Sequence, residues 1–209
     1  MTAVPQDRAK IRISPARDQD RPAIYRLRHQ VYACELHQHP ENPEERLTDT
    51  LDDCNIYITA SLAGEVVGFV SLTPPSHGRF SIDKYLDRHE LSFPMDERSF
   101  EVRLLTVSSE HRGRAIAFAL MYAALRSVES RGGTRVVAIG RHELLGMYRK
   151  AGLEPLGRQI VSGAVRFELM TATTETLRQR LARYGPAVRR IEDAMDWQLG
   201  IPLHEPARY

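Results

Sequence analysis

The fold of this chain is decided by residues 101–117, whose sequence is EVRLLTVSSEHRGRAIA. The first half is apolar and rich in strand-forming residues, and the second half leads into an apolar helix. The turn between them carries small residues, so the backbone N–H groups of the helix N-terminus are open to an anion. Arg112 and Arg114 add mobile positive charge. The stretch predicts a cradle for a phosphate or pyrophosphate; a tight turn with surface arginines is the alternative.

Strand and helix patterns flank this stretch on both sides. They predict strands at residues 10–14, 55–62, 65–73, 99–107, 135–139, 156–161 and 165–170, and helices at 21–36, 115–130, 142–150, 174–184 and 187–199. Ala63 and Gly64 favour a two-residue hairpin between two of the strands. The connection of residues 37–53 is polar, and that of residues 76–98 is long and irregular. A connection that long often carries function.

The composition excludes several classes of protein. The 209 residues include 29 Lys and Arg, 27 Asp and Glu and 42% hydrophobic residues, which is typical of a soluble globular domain. No apolar run approaches the roughly 20 residues of a membrane-spanning helix, and the first ten residues lack the apolar region of a signal peptide. Two cysteines cannot form a disulfide framework. We therefore expect a cytoplasmic protein without a membrane segment.

The near-neutral total charge conceals two charged segments. Residues 103–150 hold nine Lys and Arg against three acids, whereas residues 35–55 hold seven acids against one Arg. The basic segment suits an anionic ligand or an acidic protein surface. The acidic segment is either a solvated loop or an attractor of a cationic amine. Of the 29 basic residues, 26 are Arg, which suits phosphate contacts but is also what a GC-rich genome produces.

Two motifs in the central region resemble the GNAT superfamily of N-acyltransferases. The pyrophosphate loop of that family is Arg/Gln-x-x-Gly-x-Gly/Ala, and it follows a strand that ends in a Leu-x-Val-like sequence. Residues 105–107 (LTV) and 112–117 (RGRAIA) match this pattern in register, with Ala115 at the position of the first Gly. Further along, residues 148–153 (YRKAGL) are similar to the Tyr-x-Lys-x-Gly-Phe signature of the family.

This resemblance implies both the fold and the donor site. The implied fold is a single α/β (α+β) domain over residues 10–172, with a mixed central sheet of about six to seven strands flanked by helices. Beyond the resemblance, the residue pattern leads us to expect a C-terminal helical extension at residues 173–199, a flexible N-terminus at residues 1–9 and a tail at residues 200–209. The implied co-substrate is acetyl-CoA, another acyl-CoA or a carrier-protein phosphopantetheine, with no permanently bound cofactor. The residues expected to bind it are Leu105, Val107, Arg112, Gly113, Arg114, Ala115, Ile116 and Ala117.

The N-terminal half is similar to one branch of the family, the autoinducer synthases and N-acyl amino acid synthases. The similarity rests on residues 27–32 (LRHQVY), Asp52-Asp53, residues 68–74 (GFVSLTP) and Glu101-Val102. Many members of this branch take the acyl group from an acyl carrier protein, so that donor is expected beside free coenzyme A. The branch usually places Arg three residues after the strand Glu, where this chain has Leu104.

The implied reaction is the attack of an amine on a thioester, which requires a proton acceptor for the amine and benefits from a proton donor for the thiolate. Glu101 is the candidate base. It begins the strand whose Leu105 and Val107 are implied by the resemblance to bind the pantetheine, and alternate residues of a strand share one face. The alternative is a carboxylate paired with Arg103 or Arg135. Tyr148 is the candidate acid by the motif match, and the alternative is an apolar helix residue whose hydroxyl reaches solvent.

Arg28 and Tyr32 are the candidates for binding the acceptor. Arg28 lies on the first predicted helix and would hold an acceptor carboxylate by two parallel hydrogen bonds. A salt bridge with Asp52 or Asp53 is the alternative. Tyr32 would line the acceptor pocket or belong to the core.

Three functions stay open at this point. The first is an N-acyltransferase that moves an acyl group from a phosphopantetheine thioester to the amine of a small molecule, with an acyl carrier protein and a second copy of the chain as further partners. The second is a non-catalytic module that senses acyl-CoA or docks a partner. The third is an aminoacyl-tRNA-dependent transferase, supported only by the Arg content; nucleic acid is otherwise not expected. No metal is expected. His37 and His39, with Glu35 nearby, could bind one, but no further ligand stands at helical spacing, and a solvated loop is the preferred interpretation.

Overall fold

The computed structural model describes residues 9–113 and 115–203. Most of the expected N-terminal segment (residues 1–8), the candidate donor-binding residue Arg114, and the last part of the tail (residues 204–209) lie outside the described residues. Within the described ranges, no helix is both long enough and apolar enough to cross a membrane.

One mixed sheet of eight strands forms the framework, in the order β6-β7-β5-β4-β3-β2-β1-β8. The strands are β1 (Ile11–Pro15), β2 (Ile56–Leu62), β3 (Glu65–Thr73), β4 (Ser99–Val107), β5 (Arg135–Arg141), β6 (Glu154–Ser162), β7 (Val165–Thr173) and β8 (Met195–Trp197). The helices are α1 (Arg21–His29), continued by a π-helical turn (Gln30–Glu35), α2 (Ile116–Ser130), α3 (Leu145–Ala151), α4 (Thr174–Ala182) and α5 (Gly185–Ala194). The predicted α/β fold class is confirmed, with one strand beyond the predicted range.

The centre of the sheet opens into a wedge. The parallel strands β4 and β5 pair only as far as Val102 and Ala138. β4 nevertheless continues to Val107 and β5 to Arg141. The two strands therefore separate in their second halves and leave a gap through the sheet.

A bulge in β4 lies where the wedge begins. In the register with β3, Ser71 is opposite Arg103 and Phe69 is opposite Thr106, so β4 contains one extra residue. Leu104, inside the bulge, has a φ of +56°, a left-handed conformation that is uncommon for residues other than glycine. Because side chains alternate between faces, an extra residue inverts the alternation beyond it.

Helices cover both faces of the sheet. On one face α1 buries Ile24 and Leu27 against Tyr57 and Phe69. On the other face α2 buries Leu120 and its neighbours in the main core. The wedge therefore has one helical layer on each side, with α2 and α3 opposite α1.

The C-terminal segment joins the sheet. The sequence pattern predicts a helix over residues 187–199, but α5 ends at Ala194 and residues 195–197 form β8, which pairs in parallel with β1. The indole of Trp197 packs edge-on against the ring of Tyr122, with ring centroids 5.8 Å apart. Its Nε1–H donates to the carbonyl of Glu192 at 2.9 Å. Pairing across the chain overrides the local helical pattern here.

Candidate active site

A cavity of about 740 Å³ occupies the wedge and passes between β4 and β5. Its two rims are residues 102–107 of β4 and residues 138–141 of β5. Pockets of roughly 300–1,000 Å³ typically hold small molecules. Because the strands have separated, two ligands can meet in this cavity from opposite faces of the sheet.

On the side of α2 and α3 the cavity is long and apolar. Leu105 and Val107, beyond the bulge, pack against the core under α2. The cavity then continues between the helices as far as α4 and α5, and its apolar lining includes Phe118, Met121, Leu125, Met147, Leu177 and Leu181. Such a lining favours a hydrocarbon chain over a polar ligand.

The turn before α2 lies at the open end of the wedge. Ala115, directly before the helix, has a φ of −67°, so this position does not require a glycine. Gly113 has a φ of +77°, which does favour one. Arg112, Ala115 and Ala117 line the cavity, whereas the side chain of Ile116 is fully buried in the core. The turn thus offers backbone N–H groups and the guanidinium of Arg112 to an anion.

Tyr148 of α3 reaches the cavity by lying over β5. A Cβ on Gly140 would come within 2.5 Å of the Tyr148 ring, so the close approach depends on this glycine. The Tyr148 side chain is almost fully buried and lines the cavity. Burial raises the pKa of Tyr148 to about 12. The hydroxyl is therefore protonated at neutral pH and can act as a proton donor.

On the side of α1 the cavity has polar groups beside the apolar side chains of Val31 and Leu36. The Thr106 hydroxyl donates to the hydroxyl of Tyr32 at 3.5 Å, and both residues line the cavity. Burial raises the pKa of Tyr32, and the opposing pull of nearby arginines, Arg103 and Arg141 among them, weakens this effect. Tyr32 in turn contributes to the raised pKa of Tyr148. The hydroxyls of Tyr32 and Tyr148 and the guanidinium groups of Arg103 and Arg141 therefore influence one another electrostatically.

Arg141 is a candidate that the sequence analysis missed. Its alternate neighbours Val137 and Ile139 lie on the face away from α2, and Arg141 follows them in register and lines the cavity. Its Nε is buried without a hydrogen-bond partner, and its ion pair with Glu143 spans 3.8 Å. The signal in the sequence was the position of Arg141 just beyond the predicted buried strand 135–139. The structure shows that the wedge opens at this end of the strand.

Glu101 does not belong to the described lining of the cavity. In a regular strand Glu101 would share a face with Leu105 and Val107, as the sequence analysis predicted. The bulge inverts the alternation, so Glu101 lies on the opposite face. Its carboxylate is fully buried and accepts hydrogen bonds from the Ser81 N–H at 2.8 Å, the Ser81 hydroxyl at 2.6 Å and the Ile82 N–H at 2.9 Å. These contacts attach the connection between β3 and β4 to the sheet.

Arg28 is also engaged away from the cavity. It is 2% exposed, and its Nη1 donates to both carboxylate oxygens of Asp52, at 3.0 and 3.2 Å. The guanidinium lies 5.5–5.9 Å from the ring centroids of Tyr25, Tyr57 and Phe69. The structure therefore has the salt bridge that the sequence left as the alternative to an acceptor contact.

The acidic segment supplies partners for the basic one. Asp52 accepts a hydrogen bond from the N–H of Asp49 at 2.7 Å, and Asp49 forms an ion pair with Arg103. Glu35 forms an ion pair with Arg112 in the turn before α2. Three acids of this segment therefore form ion pairs: Asp52 with Arg28, Asp49 with Arg103 and Glu35 with Arg112.

The described lining of the cavity includes no carboxylate and no imidazole. Among all the residues that the structure describes, no group of three His, Cys, Asp or Glu residues is arranged to hold a metal ion. The chemistry of the site therefore rests on tyrosine and threonine hydroxyls, arginines, Lys150, backbone groups and apolar surface.

The chain matches the model of the acetyltransferase (GNAT) family over residues 21–153. The structure is similar to that of BjaI, a CoA-dependent acyl-homoserine lactone synthase solved with SAM and isopentyl-CoA: the TM-score is 0.72 at 23% identity, covering 92% of this chain and 94% of that one. The acyl-homoserine lactone synthase LasI gives a TM-score of 0.65 at 16% identity, over 78% of this chain and 89% of that one.

An aminoglycoside 6'-N-acetyltransferase complexed with coenzyme A gives a TM-score of 0.54 at 16% identity, over 78% of this chain and 96% of that one. No curated protein matches the sequence. The structural likenesses establish the fold, and both resemblances drawn from the sequence motifs are confirmed at that level.

Proposed function

The chain belongs to the GNAT acetyltransferase family, and we propose that it transfers an acyl group from a phosphopantetheine thioester to the amine of a small molecule. The observation that carries the proposal is the cavity that passes through the wedge. A donor lying along α2 and an acceptor entering from the side of α1 meet there without a covalent enzyme intermediate.

The donor phosphates bind at the turn before α2. The N-terminus of a helix favours negative charge, and Arg112 adds a guanidinium at the cavity. The pantetheine chain then follows Leu105 and Val107 into the wedge. Free coenzyme A and a carrier protein present the same phosphopantetheine arm, so the proposal covers both donors.

The acyl group lies in the apolar part of the cavity between the helices. An acetyl group has two carbons and would leave most of the space beside Met121, Leu125 and Leu177 empty. Filling this apolar space with hydrocarbon contributes about 0.8 kcal/mol for each buried CH₂ group. We therefore expect a longer acyl group, in keeping with the isopentyl-CoA bound to BjaI.

The reaction is a direct displacement at the thioester carbonyl. The amine nitrogen bonds to the carbonyl carbon, the C–S bond breaks, and the nitrogen, which is cationic after the attack, gives its extra proton to water to become the amide. Tyr148 gives its proton to the departing thiolate and regains one from solvent. The oxyanion is stabilised by backbone N–H groups at the bulge, where Leu104 and Leu105 have no partner in the β3–β4 register. Glu101 is given no part in proton transfer, because its carboxylate is engaged with Ser81.

The acceptor reaches the thioester as a free amine that has lost its proton to water. Arg141 and Arg103 line the cavity on the side of α1, and their positive charge disfavours an ammonium group there. Arg141 has a buried Nε without a hydrogen-bond partner, so an acceptor with an anionic group beside its amine can pair with it. Tyr32 closes the same side and fits the acceptor-binding role predicted for it.

The test is the release of free thiol from a panel of acyl-CoA donors, acetyl to octanoyl and isopentyl, with the same acyl groups on a carrier protein. Each donor is combined with amino acids and with simple amines. We expect multiple turnovers that increase with acyl length. Donor binding without any turnover would indicate a sensor of acyl-CoA, and it would overturn the proposal.

A cavity variant checks the position of the acyl group. Met121→Trp fills the apolar part of the cavity, and Met121→Leu keeps its volume. The Trp variant should lose octanoyl transfer and keep acetyl transfer, whereas the Leu variant should keep both. Equal losses for both acyl groups in the Trp variant would place the acyl chain elsewhere.

A further inference from the structure

The charged side chains in the described lining of the cavity are all cations. Arg112 lies at the turn before α2, and Arg103 and Arg141 lie on the side of α1. The other two are Lys150 of α3 and Arg180 of α4, and we call these two the distal cations. In the proposed function the donor phosphates bind at Arg112, and an anionic group of the acceptor pairs with Arg141. The distal cations have no ligand in that scheme.

Lys150 lies toward the closed end of the wedge. β5 ends with Arg141 at the open end, and α3 follows it. β6, which comes after α3, begins at Glu154 opposite Thr171 of β7, and Thr171 is also opposite Val137 of β5. Val137 belongs to the part of β5 that still pairs with β4. α3 therefore runs back from the open end to the level at which the wedge closes, and Lys150 lies in its last turn.

Arg180 lies at the same end of α3. A Cβ on Gly152, directly after α3, would come within 3.0 Å of the Arg180 Cγ, so the stem of Arg180 packs over this glycine. Leu177 and Leu181 of α4 also line the cavity. Residues three and four apart are neighbours on a helix surface, so Arg180 shares this wall of the cavity with the two leucines. An acyl chain that fills this part of the cavity therefore runs along the leucines toward a guanidinium.

The side chains of the distal cations have no internal partners. Across residues 9–113 and 115–203, those of Lys150 and Arg180 form no hydrogen bond and no ion pair. By contrast, Arg178 of the same helix α4 forms ion pairs with Glu129 and Glu175. Arg180 is partly buried, and the described lining of the cavity beside it includes no carboxylate. An unpaired guanidinium in such a place favours an anionic group of the ligand.

We propose that the transferred acyl group ends in a carboxylate, and that this carboxylate pairs with Arg180 while Lys150 lies beside it. The inference rests on the proposed function, in which the acyl group occupies the apolar part of the cavity. The donor is then a monothioester of a dicarboxylic acid, and its methylene chain packs against Leu177 and Leu181. The guanidinium suits the carboxylate because it can donate two parallel hydrogen bonds. The transfer forms the C–N bond and breaks the C–S bond at the thioester end, and it leaves the distal carboxylate unchanged.

Coenzyme A carries another anion, the phosphate on its ribose, which is the competing ligand for the distal cations. This phosphate is attached beyond the diphosphate, and the diphosphate binds at the turn before α2, at the open end of the wedge. The distal cations lie toward the closed end, among the apolar side chains that surround the acyl group. Their position therefore favours the end of the acyl chain, and the experiment separates the two anions.

The test compares pairs of acyl-coenzyme A donors that differ only in the terminal group, hexanoyl against adipoyl and octanoyl against suberoyl, with amino acids as acceptors. The wild type should transfer each dicarboxylic acyl group at least as fast as its alkyl counterpart. Arg180→Gln should lower the ratio of kcat/KM for adipoyl to that for hexanoyl by about tenfold, and Arg180→Lys should restore most of it because the charge returns. Arg183→Gln removes the same charge from an exposed residue at the end of α4, outside the described lining of the cavity, and should leave the ratio unchanged.

Each other outcome overturns the inference. Transfer of the alkyl donors without the dicarboxylic ones removes the anionic terminus and leaves the proposed function standing. Equal losses for both donors of a pair in Arg180→Gln would show that Arg180 does not bind the acyl terminus, and a loss that disappears with dephospho-coenzyme A donors would assign it to the ribose phosphate. Equal changes of the ratio in Arg180→Gln and Arg183→Gln would reduce the effect to general electrostatics. No turnover with any donor overturns the proposed function, and the inference with it.

Discussion

The substitution Glu101→Gln tests whether this carboxylate stabilises the fold or takes part in catalysis. In the structure its two oxygens accept three hydrogen bonds, from the Ser81 N–H, the Ser81 hydroxyl and the Ile82 N–H. The residue is fully buried, so water cannot replace a lost partner. A glutamine has one acceptor oxygen, and its NH₂ group must face at least one of these donors.

The magnitude follows from the geometry. If the amide oxygen keeps the Ser81 hydroxyl and the Ile82 N–H, the Ser81 N–H is left unpaired, which costs about 1–3 kcal/mol. The two remaining bonds lose the charge on the acceptor, at about 1 kcal/mol each. A total of about 3–5 kcal/mol lowers the Tm of a chain of this length by roughly 6–20 °C.

The assay combines thermal unfolding with turnover measured well below the lowered Tm. Ser81→Ala removes one of the three donors and should cost less than Glu101→Gln, and the two effects should not add in the double variant. Glu97→Gln, the same change at an exposed residue, should leave Tm within 1–2 °C. A Glu101→Gln protein with an unchanged Tm and a turnover reduced a hundredfold would refute the structural role.

Other predictions concern the two faces of the cavity. Tyr148→Phe should lower kcat by about a hundredfold with alkyl thioesters and less with aryl thioesters, whose thiolates need no proton; equal losses would remove its role as the acid. Arg141→Gln should raise KM at least tenfold for amines with a carboxylate and leave the matching amides unchanged, as steady-state kinetics will test. Asp49 is predicted to stabilise the fold above about pH 4: burial alone would raise its pKa, but the attraction of Arg103 outweighs this and lowers it. That stability is lost as the pH falls through the lowered pKa, so Asp49→Asn should flatten the acid limb of the unfolding free energy; an unchanged limb would contradict this.

The strand, turn and helix around residues 101–130 were predictable because their signals are local. Each element has its own period, and the turn is marked by small residues. The structure has these elements as β4 and α2. Even the departure at Ala115 has a local reason, since its φ of −67° suits any residue. The glycine that this turn requires is Gly113.

The bulge at Leu104 was not predictable from its residues. Two leucines in succession give no sign of a left-handed conformation, which bulges usually assign to glycine. The alternation rule therefore placed Glu101 beside Leu105 and Val107, and a single positive φ at Leu104 separated them. β8 was not predictable either, because its pairing with β1 joins residues more than 180 positions apart and leaves no local pattern.

For the two charged segments the sequence suggested one ion pair, that of Arg28 with Asp52 or Asp53, but not the pairs that join the two segments, Asp49–Arg103 and Glu35–Arg112. Their pairing explains which arginines remain available to ligands. Arg28 and Arg103 are held by buried or half-buried carboxylates, and displacing such a partner would leave a charge uncompensated at a cost of several kcal/mol. Arg112 is held by a partly exposed ion pair, which a diphosphate can replace at little cost. Arg141 has a long ion pair with Glu143, at 3.8 Å. The cations suited to binding ligands are therefore those with the weakest internal partners, and one lies at each end of the proposed reaction, Arg112 for the donor and Arg141 for the acceptor.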